Sequence, residues 1–131
     1  MLTIHIFPND CDMMGHVNHA TMLTFLERDR WLLLEPHIAV RDYMDGRAWA
    51  VIRHVDVSYS AQVRAGDDLA IVSGLESVGK TSFVVRQRAT VGARVACEAR
   101  ITYVAIGAKE QAPIPVPEEW KTFYPPWSES P

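Results

Sequence analysis

Phe7-Pro8-Asn9-Asp10-Cys11-Asp12-Met13-Met14-Gly15-His16-Val17-Asn18-His19 is the stretch on which the reading of the fold turns, because the periodicity of the chain differs on its two sides. Upstream, residues 2–7 alternate as a short strand does, and Pro8-Asn9-Asp10 stops them. Downstream, from Asn18 to about Glu35, the spacing is helical. Met22, Leu23, Leu26, Leu33 and Leu34 share one face, and Arg30 interrupts the stripe. Asn18 is placed to cap this helix and Pro36 to end it.

Beyond residue 50 the period becomes that of strands. Val51, Arg53, Val55, Val57 and Tyr59 alternate with Ile52, His54, Asp56 and Ser58, which predicts a strand with one mostly apolar face. Arg64-Ala65-Gly66-Asp67-Asp68 reads as a turn. Three further strands are predicted at about 69–76, 80–90 and 94–105, joined by hairpins at Val78-Gly79-Lys80 and Val91-Gly92-Ala93. The segment from Pro113 to Pro131 is punctuated by prolines and predicts an extended piece lying on the surface. One strand, one long helix and four consecutive strands give an α+β domain whose sheet must bury its apolar face on the helix.

The 131 residues fit one domain, taken as 1–131 including the Pro-rich tail at about 113–131. The chain is 48% hydrophobic and 22% charged, with a formal net charge of −3. A mildly acidic balance gives no reason to expect nucleic acid, which needs a basic face. No apolar run approaches the ~20 residues of a membrane span, and the start lacks the features of a secretory signal. Cys11 and Cys97 suggest no disulfide framework, so a cytoplasmic setting with two free thiols is expected.

The loop before the helix concentrates the chemistry. A helix N-terminus offers free N–H groups and the positive end of the macrodipole, which suit a developing oxyanion. A carboxylate beside it can attack a carbonyl or activate water while those N–H groups polarise the carbonyl oxygen. Against this stands the commoner use of Asp-x-Asp ahead of a helix, in turns and caps. His16 and His19 beside two aspartates could hold a metal, but one short cluster without a further ligand is a weak signal, and no metal or other cofactor is expected. Cys11 as nucleophile lacks any triad legible in sequence.

The run Asp10-Cys-Asp-Met-Met-Gly-His-Val-Asn-His-Ala-Thr-Met-Leu-Thr-Phe-Leu-Glu resembles the signature of the 4-hydroxybenzoyl-CoA thioesterase family. Val55-Asp-Val-Ser-Tyr-Ser-Ala-Gln-Val-Arg-Ala-Gly-Asp is similar to that family's second block, a strand entering a Gly-Asp turn, and Val78-Gly-Lys-Thr-Ser-Phe to the hairpin after it. The resemblance runs along nearly the whole chain. It implies a hot-dog fold, a five-stranded antiparallel sheet wrapped around one long central helix, with subunits paired so that two sheets become one surface. It implies hydrolysis of acyl-CoA or acyl-carrier-protein thioesters by a homodimer or homotetramer. Asp12 maps onto the catalytic carboxylate, and the backbone near His19 onto the N–H donor. Gly15 would let the loop approach substrate, and Asp10 would support it. The chain departs from the pattern at Met22, where the family usually has Tyr.

On the substrate side, Val17, Asn18 and Met22, with Met13, Met14, Leu23 and Phe25, are candidates for the walls of an acyl slot. Lys80, Arg86 and Arg88 are candidates for the CoA phosphates, although a solvated strand face explains those cations equally well. Glu27 is read as a supporting acid. A hot-dog hydratase or dehydratase is the rival enzyme, disfavoured because His16 follows Gly15 instead of preceding it. A non-catalytic acyl-thioester or carrier-protein binding module is the rival of a different class.

Overall fold

The structure is a computed structural model that describes residues 1–38 and 46–129. Strand β1 is Leu2–His5, helix α1 is His19–Leu34, and four longer strands follow: β2 Ala48–Tyr59, β3 Asp68–Val78, β4 Ser82–Val91 and β5 Arg94–Gly107. They form one antiparallel sheet in the order β1-β3-β4-β5-β2. Every predicted element is present, with strand bounds moved by a few residues. Short 3-10 turns at Pro8–Asp10 and Glu118–Thr122 are additional.

Alternation puts Phe83, Val85 and Ala89 of β4, and Cys97, Ala99, Ile101, Tyr103 and Ala105 of β5, on the inner face. They close over Met22, Phe25 and Leu26 of α1, with Ile6, Leu69 and Ile71, in a shared core. Asn18 caps α1 as expected: its side chain accepts the Thr21 N–H at 2.9 Å.

Two expectations about burial are corrected. The buried stripe of α1 is Met22, Phe25, Leu26, Asp29 and Arg30, so Arg30 does not interrupt the inner face but completes it. Leu33 and Leu34 are half-buried. Partners are supplied for both charges, except that Asp29 Oδ1 accepts no hydrogen bond among the described residues and faces the N-terminal ammonium at 3.8 Å. Ser73 Oγ meets Asp29 Oδ2 at 2.5 Å, and the buried Gln87 accepts Arg30 Nη1–H at 2.7 Å while donating to Ser73 Oγ and the Leu26 carbonyl, both at 2.8 Å. Strand β2, predicted to have one covered face, is exposed over most of its length, because it lies at the sheet edge and pairs only with β5 among the described residues.

The tail does more than lie on the surface. Val116 and Tyr124 are buried, and a parallel bridge joins Pro126 to Leu75 through Leu75 N–H to the Pro125 carbonyl (2.7 Å) and Trp127 N–H to the Leu75 carbonyl (2.9 Å). Gly74 makes this docking possible, since a Cβ there would lie 2.6 Å from Trp127 Cα. Gly74→Ala is therefore expected to destabilise the fold by about 1–3 kcal/mol through overpacking. Urea denaturation checks it; an unchanged midpoint would show that the strap shifts without cost.

Candidate functional site

The loop from Asp10 to Asn18 is shaped by its own polar groups. Asp10 Oδ2 accepts the Phe7 N–H at 3.0 Å and so holds the entry to the loop. Asp12 donates its N–H to the His16 carbonyl (2.9 Å), and its own carbonyl accepts the Gly15 N–H (3.0 Å). The turn between them needs φ +80° at Gly15, a left-handed conformation that favours glycine. Bridges Cys11–Val17 and His16–Arg64, and the Val17 N–H bonded to the Val63 carbonyl at 2.8 Å, fix the loop to the chain ahead of β3.

Within this frame Asp12 is exposed. Its Oδ1 accepts the Met14 N–H at 2.9 Å, and among the described residues nothing hydrogen-bonds Oδ2. Asn18 uses its side chain on Thr21 N–H and its carbonyl on Met22 N–H (3.0 Å). The N–H groups of His19 and Ala20 find no acceptor among the described residues. A carboxylate with one open oxygen and a helix start with open donors are thus separated only by the short stretch from Met13 to Asn18, which turns back on itself.

A residue that the sequence placed on β2 but not at the site joins this end of the molecule. Tyr59, at the close of β2, donates its hydroxyl to the His19 carbonyl at 3.2 Å. Partial burial, and secondarily Cys97, push its phenol above the usual range. Its place in the Val-Asp-Val-Ser-Tyr block was legible; the contact was not, because Tyr59 and His19 meet only through folding.

The remaining predicted residues divide. Val17 and Leu23 are half-buried against the core, while Met22 (3% exposed) and Phe25 (8%) belong to it, so Met22 presents no surface to a ligand. Met13 and Met14 project from the loop, 103% and 75% exposed. Arg86 and Arg88 sit together on the outer face of β4, but not as open cations. Arg86 Nη1 meets Glu129 Oε1 at 2.6 Å and Glu76 Oε1 at 3.5 Å, and Arg88 Nη2 meets Glu129 Oε2 at 3.5 Å. Both guanidinium carbons lie 5.2 Å from the Trp127 ring centre. The indole N–H of Trp127, then Arg86 and Arg88, hold the Glu129 carboxyl below its ordinary range. Lys80 lies in the β3–β4 turn, roughly 20 Å down the strand from Arg86 at 3.3 Å per residue. The expected three-cation cluster therefore does not assemble.

Burial, and then Glu98, push the Cys97 thiol up to about 11, which removes it as a nucleophile at neutral pH. Among the described residues no three His, Cys, Asp or Glu side chains come together as metal ligands, and no helix is long and apolar enough to cross a membrane. A cavity of about 370 Å³ opens between the second half of α1, the start of β2 and the tail. Of the residues named from the sequence for the site, Glu27, the supporting acid, lines it, and Asp12, Gly15 and His19 do not.

With this geometry in place, the profile of the Thioesterase-like superfamily matches residues 6–123. The chain belongs to this superfamily. It is 34% identical over 86 residues to the acyl-CoA thioester hydrolase YbgC of Escherichia coli O6:H1, covering 65% of this chain, and the match spans 64% of that relative's length. It is 30% identical over 102 residues to the long-chain acyl-CoA thioesterase FadM of Escherichia coli K12, covering 76% of this chain and 77% of FadM. Among solved structures, the probable thioesterase YbaW of Escherichia coli superposes with a TM-score of 0.82 at 27% identity, covering 93% of each chain. Slr0204, a 1,4-dihydroxy-2-naphthoyl-CoA thioesterase from Synechocystis, superposes at 0.83 with 18% identity, covering 93% of this chain and 92% of its own. The five-stranded sheet around one helix is the hot-dog fold, shared with these structures.

Proposed function

We propose that this chain is an acyl-CoA thioester hydrolase in which Asp12 is the catalytic carboxylate. The observation that carries the proposal is the pairing of an exposed carboxylate, one oxygen open, with the open His19 and Ala20 N–H groups at the start of α1. The relatives' names supply the substrate class. In this reading the thioester carbonyl oxygen lies at the helix start and the His19 N–H donates to it. Asp12 Oδ2 then either attacks the carbonyl carbon, giving a mixed anhydride that water opens, or takes a proton from the attacking water. In both routes the C–S bond breaks, the acyl group leaves as a carboxylate, and the sulfur takes a proton. Gly15 permits the turn that carries Asp12, and Tyr59 anchors the first helical residue by its carbonyl. A panel of acyl-CoA esters with free-thiol detection tests the reading: no thiol release from any ester would overturn it.

The working unit in this proposal is at least a homodimer paired on the β2 edge. That edge carries Val51, Ile52, Val55 and Tyr59, all 42–49% exposed, and its outer backbone groups have no strand partner among the described residues. An uncovered apolar edge of this length invites another strand. The exposed Met13 and Met14 need similar cover.

The mechanism asks only for a carboxylate and backbone donors. Hydrolysis is therefore expected to survive exhaustive EDTA treatment, and His16→Ala to cost far less activity than Asp12→Asn. Loss of turnover on chelation, restored by zinc, would replace this mechanism with a metal-activated water.

A further inference from the structure

We infer that the cavity between α1 and the tail is a binding site for an elongated apolar molecule ending in a carboxylate, with Arg30 as the group that receives the oxyanion. Its walls are aromatic, with Trp31, Phe83, Trp120 and Phe123 among them, and its volume of about 370 Å³ falls in the range of small-molecule sites. It runs along α1 from Glu27 to Leu34, about 10 Å at 1.5 Å per residue. Such a space suits a hydrocarbon chain or an aryl group.

The charge inside it is what selects the ligand. Among the described residues four charged side chains line the cavity, and Glu27, Arg47 and Glu119 are exposed, placing them towards solvent. Arg30 alone is buried, 5% exposed. Its Nε–H donates to Tyr103 Oη at 2.6 Å and one Nη1–H to Gln87 Oε1 at 2.7 Å. Both acceptors are neutral, and among the described residues no carboxylate forms an ion pair with Arg30. Asp29, the nearest countercharge in this network, is reached only through Gln87 and Ser73. A guanidinium has five N–H donors, so Arg30 keeps donors in reserve on the wall of an apolar cavity. A buried cation without a contacting anion is costly, and a bidentate carboxylate is the ligand that matches the fork geometry.

The carboxylate has two sources: the far end of the acyl group of a substrate, or a free fatty acid such as the product of hydrolysis. The first rests on the hydrolase reading above, because Arg30 lies about 16 Å along α1 from His19, the reach of an extended acyl chain. The second does not.

Trp31 and Trp120 line the cavity and report its occupancy by fluorescence. Wild-type protein is expected to bind decanoate at least tenfold more tightly than decanol, with decyltrimethylammonium weaker than both. In Arg30→Gln the preference for decanoate over decanol is expected to fall to near one. Equal affinity for all three probes in the wild type overturns the inference, and this series decides the matter even if the variant fails to fold. A folded Arg30→Gln that keeps the preference overturns it too. Faster hydrolysis of decanedioyl-CoA than of decanoyl-CoA, lost in Arg30→Gln, assigns the carboxylate to the substrate's far end. Equal rates with decanoate still bound assign it to the free acid. If no thioester is hydrolysed while decanoate binds as stated, the hydrolase reading fails and this site stands.

Discussion

Asp12→Asn is expected to lower thioester hydrolysis by about 10²–10⁴-fold while leaving the chain folded. The separation of the two effects follows from how the carboxylate is held. Oδ1 accepts the Met14 N–H, and an asparagine carbonyl oxygen accepts the same bond in the same place. Oδ2, which meets no protein donor among the described residues, becomes an amide that neither attacks a carbonyl nor takes a proton from water. Asp10→Asn makes the control. Asp10 Oδ2 caps the Phe7 N–H, so that change is expected to cost on the order of 1 kcal/mol in stability and little in turnover. Steady-state kinetics on folded protein, with circular dichroism to verify folding, decide the comparison. Near-wild-type turnover for Asp12→Asn, or a larger loss for Asp10→Asn, would move the chemistry away from Asp12.

The second large effect is expected at the sheet edge. Val55, 42% exposed near the middle of β2, is the residue whose charge would do most harm in an edge-to-edge dimer. Val55→Lys places an ammonium in the seam, and a two-fold axis through β2 would bring two of them together. Desolvating an unpaired charge costs several kcal/mol, so dissociation is expected to rise by a factor of 10² or more. Light scattering at micromolar concentration reads it: dimer for the wild type, monomer for the variant, with hydrolysis lost in step if the partner helps to form the site. A monomeric wild type, or a variant that stays dimeric, would place the interface elsewhere or remove it.

These two expectations differ in how far the sequence supplied them. Local order marked the loop, a Gly-containing run between a strand that stops and an Asn-capped helix, and the resemblance to the 4-hydroxybenzoyl-CoA thioesterase signature singled out Asp12 within it. The identity of the free edge was not available. The alternation in β2 predicts one covered face, and only the strand order β1-β3-β4-β5-β2 shows that nothing described lies beyond it. Hydrophobic periodicity reports that a residue can be buried, not whether a neighbour arrives to bury it.

Charged residues mark the same boundary from the other side. Arg30 reads in sequence as a break in an apolar stripe, yet it lies on the inner face because Gln87 from β4 and Tyr103 from β5 supply its acceptors. Arg86 and Arg88 read as open cations, yet Glu129 and Trp127 from the tail occupy them. The sequence by itself determined the element order, the capped helix, the hairpins and the loop that carries Asp12, since each depends on residues close together along the chain. Tertiary structure alone decided how the arginines are partnered, where the aromatic cavity lies and which strand is left bare. Those properties depend on pairs such as Arg30–Tyr103 and Arg86–Glu129, far apart in sequence, whose meeting no local pattern encodes.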